Sequence, residues 1–475
     1  MPKLSTGWII TTTVFMALLL PSLVQQGMFL DGVSYASIAR NMAEGKGSFS
    51  SPHYTESLYP VCYEQPPLGL WLQSLFFRVF GDHFWVERFY CLIMALSTAK
   101  VLQMNWVVYK SIDQLHKDQK TFKNDNSWLA VLIWICTPVV FWAYSNNMLE
   151  CTMSLFVLLA TWSAGKWLLS KNAGFLILSA IFTAMAVLTK GPVGFFPLVA
   201  PVVASITLKQ GKLMLAVFHS FIISMVCIGS LMVVIRWIPG MAQFTDGYLQ
   251  TRLLPTLGGV RDEFVSNRFH FLIDLISQLA LPLVILSAMF LFTKSSRGGI
   301  NNLAWFFLAI GLAGSFPLLL SPKQSLHYLV PSISFFAIGM AMFMESLMNE
   351  RSRFSPFLTI AGKNLTMVSW LVFCAVLLVS GLCWGKFKRD ELLISEITNL
   401  SLEVPANTIL GSKEDLAINW TLVAYLSRIA NISLDSKKQP EYFLTKKNEN
   451  TPLEYQLFND NLTSFRLWKR LDING

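Results

Sequence analysis

Residues 213–236 read LMLAVFHSFIISMVCIGSLMVVIR, a run of 24 residues whose one formal charge is the terminal Arg236. As an α-helix it extends about 36 Å, enough to cross a hydrocarbon core about 30 Å thick. Backbone polar groups in lipid have to be bonded within their own segment, so such a run is read as a membrane-spanning helix. Comparable apolar stretches lie at 8–24, 84–109, 127–144, 149–169, 173–189, 191–208, 270–293, 302–321, 327–346 and 366–385. Together they predict about eleven spans. Of the 475 residues 53% are hydrophobic and 14% charged, where a soluble chain carries about a quarter charged residues. That excludes an ordinary soluble enzyme. Residues 8–24 follow Lys3 and resemble the apolar part of a signal peptide. No small-x-small cleavage pattern follows Val24, so they are read as the first span.

The net charge of +9 raises the question of a nucleic-acid partner. From residue 386 onward 12 basic residues balance 12 acidic ones, so the excess belongs to the membrane part, with 25 basic and 16 acidic. There positive charge sets orientation, and no nucleic-acid partner is expected. The run 66–80 is only about 22 Å long as a helix, too short to cross alone. With that run excluded and the N-terminus inside, inner segments hold 14 of the 25 basic residues, among them Lys110, Lys117, Lys166, Lys209, Lys294 and Arg351. Outer segments hold 11 of the 16 acids. The excess of cations inside favours this arrangement, with 66–80 as a juxtamembrane helix on the outer face.

The predicted architecture is an all-α polytopic membrane domain over residues 1–385, with outer loops 25–83 and 237–269, followed by a small extracytoplasmic α/β domain over 386–475. In the first loop the spacing predicts a helix over 32–44 lying in the interface, with Tyr35, Ile38, Ala39 and Met42 on one face and Ser34, Ser37, Asn41 and Glu44 on the other. The second loop carries Gly240, Gly247, Gly258 and Gly259 without sustained periodicity and reads as a mobile lid. In the C-terminal domain 408–410 and 442–444 read as strands and 416–428 as a helix. The seven cysteines include no Cys-x-x-Cys pair and read as small packing residues. The Asn-x-Ser/Thr triplets at Asn399, Asn419, Asn431 and Asn461 carry no weight, because such triplets are common by chance.

Ionisable residues at span ends need a reason, since burial in lipid costs a few kcal/mol. In this topology Asp31, Glu64, Glu150, Lys190, Lys323 and the hydroxyl of Tyr328 all fall on the outer side. Carboxylates and cations that converge on one face from distant spans suit an active site at the membrane interface. Transporters place such groups nearer the bilayer midplane. A transporter or flippase for lipid-linked sugars is the alternative reading. It accounts for the spans and cations but not for the gathered carboxylates.

Several motifs occur in order: Asp31-Gly32 with Tyr35-Ala36-x-Ile38-Ala39; Tyr63-Glu64-Gln65-Pro66-Pro67-Leu68-Gly69-Leu70-Trp71; Phe80-Gly81; Arg88; Met148-Leu149-Glu150; Leu188-Thr189-Lys190-Gly191-Pro192; and Ser321-Pro322-Lys323-Gln324 before Val330-Pro331. In order and spacing they resemble the C-type integral membrane glycosyltransferases, in particular the lipid A aminoarabinose transferases and protein O-mannosyltransferases. The resemblance covers about residues 5–345. It implies a polyprenyl-phosphate-linked sugar as donor and a lipid or protein acceptor. Transfer would occur with inversion at the outer face, in a multi-pass protein of a bacterial inner membrane.

Inverting transfer requires a carboxylate to take the acceptor proton and cations to meet the phosphate leaving group. The resemblance assigns Asp31 as general base or acceptor orienter, with an N-cap role for the helix that follows as the competing reading. Glu150 falls on the family's second acidic position, usually an aspartate; it also suits a helix first turn. Lys190 and Lys323 fall on cationic positions and are candidates for the donor phosphate, or for snorkelling to headgroups. Tyr35, Glu64 and Tyr328 complete the candidate site, Tyr328 also suiting an interfacial anchor.

Three departures stand out. Gly32 replaces the second acid of an Asp-Glu pair, and Gln65 replaces a lysine. The loop histidine that joins the Glu64 position at a metal in the aminoarabinose branch is missing, Phe264 standing in its place. No cofactor is therefore called for, and a divalent metal is disfavoured. Arg252, Arg261 and Arg268 are candidates to replace the missing phosphate contacts, Arg268 foremost. His53, His83, His219 and His327 show no ligand spacing and read as packing or surface residues.

Overall fold

A computed structural model describes residues 5–116, 125–258, 268–292, 301–319, 323–349, 355–449 and 454–471. Expectations for Arg261, Phe264, Ser321, Pro322, Lys117, Lys294 and Arg351 fall outside the described residues. The described residues of each of the eleven apolar stretches are mostly helical. Among the described residues seven helices are long and apolar enough to span a membrane, or nine if the bent pairs Trp128–Cys136 with Pro138–Ser145 and His270–Gln278 with Ala280–Leu291 each count once. The stretches 173–189 and 191–208 form shorter pieces. Residues Gly174–Lys190 are α-helical, whereas Pro192–Val199 is a 3-10 helix leading into Ala200–Thr207. Pro192, Pro197 and Pro201 lack the N–H groups that a continuous α-helix needs.

Contacts divide the chain into two units, one made of 1–24, 64–69 and 88–384, the other of 25–63, 70–87 and 385–475. Most of the first outer loop, assigned from the sequence to the membrane domain, makes its contacts with the C-terminal segment instead.

The first unit is an all-helical bundle. The antiparallel helices Leu149–Ser170 and Gly174–Lys190 are joined by a tight turn in which Lys171 adopts φ 57°. Thr6–Leu23 packs on Ser355–Leu382 and on Trp128–Cys136, and Asn302–Ser315 packs on Val330–Asn349. In the most apolar stretch of Leu326–Met348 78% of the residues are buried, against 11% in Leu213–Trp237 and in Asn364–Leu382. Exposed apolar side chains such as Met214, Trp237 and Leu378 face outward along the latter two. Apolar surface so continuous is stable against lipid and not against water. The protein is an integral, multi-pass membrane protein. Lys110, counted above among orienting charges, is also salt-bridged to the buried Glu345.

The segment 237–258 differs from the lid expected of it. Met241–Tyr248 is α-helical, Leu249–Leu253 is a π-helical turn and Leu254–Leu257 continues it. Gly240, at φ 78°, opens the helix and Gly258 closes it, so two of the glycines read as breakers are helix caps.

In the second unit the helix Leu30–Ala43 is buried at ten of its fourteen positions, including Ser37, Arg40 and Asn41. It is not a one-sided interfacial helix. Its polar residues have internal partners: Asn41 donates to the carbonyls of His53 and Tyr54 at 3.1 Å each, and Ser37 meets Ser427. The alternation of apolar and polar residues thus marks two buried faces, one packed and one hydrogen-bonded. The helix starts at Leu30, with Phe29 at the cap position and no side-chain capping bond, so Asp31 is a first-turn residue and not the cap. The C-terminal segment forms a mixed five-stranded sheet in the order Ser433–Asp435, Ile409–Ser412, Tyr442–Lys446, Phe465–Arg470, Tyr455–Asn459. The predicted helix appears as Glu414–Ala417, Trp420–Tyr425 and a π-helical turn Leu426–Ala430.

Candidate active site

The hairpin of the first unit explains how residues forty apart in sequence meet. Glu150 lies in the first turn of Leu149–Ser170 and Lys190 in the last turn of Gly174–Lys190. Antiparallel packing brings the N-terminus of one helix beside the C-terminus of the other. A carboxylate favours the first end and an ammonium the second, because each offsets the partial charge there. The two side chains are 1% and 9% exposed, and Lys190 Nζ lies 3.1 Å from Glu150 Oε1.

His327 Nε2 is 3.8 Å from the same oxygen, and its ring stacks on Trp142 at 5.9 Å. The neighbouring Tyr328 puts its ring 5.8 Å from Lys190 Nζ. Arg252, in the π-helical turn, forms a salt bridge with Glu64. Glu64, Glu150, Lys190, Arg252 and Tyr328 line a cavity of about 340 Å³. Its polar lining includes Glu64, Glu150, Lys190, Tyr248, Arg252, Lys323 and Tyr328. Met153, Phe196, Leu253 and Leu318 supply apolar walls. Three cations therefore face two carboxylates in a low-dielectric pocket, where charge acts more strongly than in water.

Burial raises the pKa of the Tyr248 phenol, against the opposing pull of Lys190 and Arg252. It stays protonated at neutral pH and can donate a hydrogen bond into the cavity. Gly191, at φ 87°, follows Lys190, and a Cβ there would overlap the Tyr248 hydroxyl. Gly191→Ala is therefore expected to lower stability by about 1–3 kcal/mol through backbone strain and displacement of Tyr248. A thermal unfolding curve in detergent checks it; an unchanged midpoint would refute the close approach.

Of the residues expected at the site, Glu64, Glu150, Lys190, Lys323 and Tyr328 are brought together at this cavity. Asp31 and Tyr35 lie on Leu30–Ala43 in the second unit, Asp31 half-buried and Tyr35 buried. Arg268 is exposed and is not among the residues lining the cavity; its carbonyl accepts a bond from Gln324 Nε2 at 2.8 Å. Arg252 lines the cavity instead. Tyr248 was not anticipated, although Tyr248 and Arg252 stand four apart, the spacing of one helix face. His327, read from the sequence as a packing residue, also approaches Glu150.

A metal at Glu64 does not fit this donor set. The Glu64 carboxylate is engaged by a guanidinium, and among the described residues no three His, Cys, Asp or Glu side chains gather to hold an ion.

A helical membrane fold with a charged cavity at its helix ends is the class these features define. The family model described as dolichyl-phosphate-mannose-protein mannosyltransferase matches residues 64–237, the portion that carries Glu64, Glu150 and Lys190. A search of the curated proteins found no match. Among solved structures, ArnT from Cupriavidus metallidurans bound to undecaprenyl phosphate aligns with a TM-score of 0.62 at 14% identity, over 98% of each chain. Its apo form aligns with a TM-score of 0.61 at 13% identity, over 96% of this chain and 95% of that one. The apo oligosaccharyltransferase of Archaeoglobus fulgidus aligns with a TM-score of 0.53 at 9% identity, over 94% of this chain and 70% of that one. The chain thus shares the fold of these proteins, and the resemblance to the C-type membrane glycosyltransferases holds.

Proposed function

We propose that the protein moves a sugar from a polyprenyl-phosphate carrier to a lipid or protein acceptor at the outer face of the membrane, with inversion. The cavity is the observation that carries this reading: Lys190, Lys323 and Arg252 beside apolar walls suit a phosphate attached to a hydrocarbon chain. The description of the matching family names a dolichyl-phosphate sugar, and the ArnT structure holds undecaprenyl phosphate; both support the same donor class here.

The acceptor oxygen attacks the anomeric carbon while the bond from that carbon to the phosphate oxygen breaks. The electron pair leaves with polyprenyl phosphate, whose negative charge grows in the transition state. Lys190, Lys323 and Arg252 meet that growing charge. The acceptor proton passes to the proposed base, Asp31. Glu150 holds Lys190 in place, and the hydroxyls of Tyr248 and Tyr328 donate to donor oxygens. Arg252 takes the phosphate role first assigned to Arg268.

The test is transfer of radiolabelled sugar from polyprenyl phosphate to membrane lipid or protein by the purified chain in lipid nanodiscs. Time-dependent appearance of label in an acceptor is the expected result. Carrier-linked sugar that crosses a vesicle membrane without being transferred would overturn the reading and identify a flippase.

A further inference from the structure

The helix Leu30–Ala43, which carries Asp31, is held chiefly by residues from the other end of the chain. Its start has no side-chain cap, so its register is not set locally. Two residues before that start, the hydroxyl of Tyr425 accepts from the Met28 N–H at 3.1 Å. It also lies within donating reach of the Met28 carbonyl at 3.1 Å and of the Asp390 carboxylate at 2.9 Å. Gln26 is paired on both sides, its N–H to the Lys386 carbonyl at 2.8 Å and its carbonyl to the Lys388 N–H at 2.9 Å. Two turns into the helix, Ser37 and Ser427 share a hydroxyl bond of 2.5 Å, and Ser427 donates onward to the Tyr54 carbonyl at 3.0 Å.

The far end is held as well. Arg40 donates to the Ser427 carbonyl at 2.7 Å and to Asp82 at 3.3 Å. Arg428 reaches Asp82 and both oxygens of Glu87, the latter at 3.0 and 3.2 Å. Tyr425 thus holds the segment before the helix, Ser427 holds its middle and its end, and Arg428 shares Asp82 with Arg40. Ser37, Arg40, Tyr54, Glu87, Tyr425, Ser427 and Arg428 are buried, where each unmade bond costs more than a made one gains.

We propose that Tyr425 and Ser427 are positioning residues for Asp31, so that the C-terminal domain is part of the transfer machinery and not an appendage. Tyr425 acts three residues before Asp31, within one helical turn, and sets the direction in which the first turn leaves the preceding strand-like segment. Displacement of a reacting group by about 1 Å lowers turnover by as much as about 100-fold. The inference rests on the role proposed for Asp31.

The full-length Tyr425→Phe and Ser427→Ala variants in nanodiscs test it by two readouts. For Tyr425→Phe, kcat is expected to fall by about 10- to 100-fold with the donor KM within about twofold of wild type. Amide hydrogen exchange over residues 28–34 is expected to quicken by about tenfold or more, while exchange in the sheet stays unchanged. Ser427→Ala should show the same pattern with smaller amplitude. Faster exchange with wild-type turnover would make the contacts structural only and overturn the inference. Unchanged exchange in both variants would overturn it too. A wild-type chain that transfers no sugar would overturn the functional reading and, with it, this one; a variant that matches an active wild type overturns this one alone.

Discussion

Asp31→Asn is expected to lower the rate of sugar transfer by about 10² to 10⁴-fold, the span that removal of a positioned general base produces. The amide keeps the volume of the carboxylate and its place in the first turn of Leu30–Ala43. It loses the charge and the capacity to take a proton. Because Asp31 does not cap the helix, the substitution removes no capping bond, and folding should be preserved. The loss should therefore appear in kcat, with little change in the KM for donor, since the role proposed for the carboxylate is on the acceptor proton and not on the phosphate. Initial rates at saturating donor, together with an unfolding curve, make the measurement. Wild-type turnover in a folded Asp31→Asn protein would remove Asp31 from the mechanism.

Lys190→Met carries the second large effect, and it acts on stability and turnover together. The substitution leaves the Glu150 carboxylate, 1% exposed, without its ammonium partner at 3.1 Å. Loss of one partner from a buried pair costs about 3–5 kcal/mol. His327, at 3.8 Å, is too distant to replace it fully. Turnover should fall by a further factor of about 10² to 10³, as on removal of one charge-stabilising donor from a transition state. The double variant Lys190→Met/Glu150→Gln separates the two effects. It removes the stranded charge and should recover most of the stability, yet it should remain as inactive as the single variant. A double variant no more stable than Lys190→Met would show that the pair does not govern folding, and recovered turnover would show that Lys190 does not contact donor.

The pair also shows how far the site was legible. Glu150 and Lys190 were visible as ionisable residues at the ends of apolar runs, a local signal that requires no knowledge of neighbours. That they neutralise each other was not visible, because it depends on the hairpin between Leu149–Ser170 and Gly174–Lys190. Arg252 and Arg268 illustrate the same limit. Both are arginines of the second outer loop, and only the π-helical turn at Leu249–Leu253 brings one of them to Glu64. The glycines of that loop read as breakers because composition does not distinguish a glycine within a loop from one that ends a helix.

The sequence by itself determined the membrane class, the places of the apolar helices, the short helix before the second span and the change to a soluble composition after residue 385. These follow from interactions with solvent or lipid, which act on each residue according to its own chemistry and repeat along the chain. Only the tertiary structure decided which charges pair, that Tyr248 lines the cavity and His327 approaches Glu150, and that the helix bearing Asp31 is held by Tyr425 and Ser427. Ion pairs and hydrogen bonds act over a few ångströms of space, and residues some 390 positions apart, such as Ser37 and Ser427, leave no mark of their meeting in the local pattern of either.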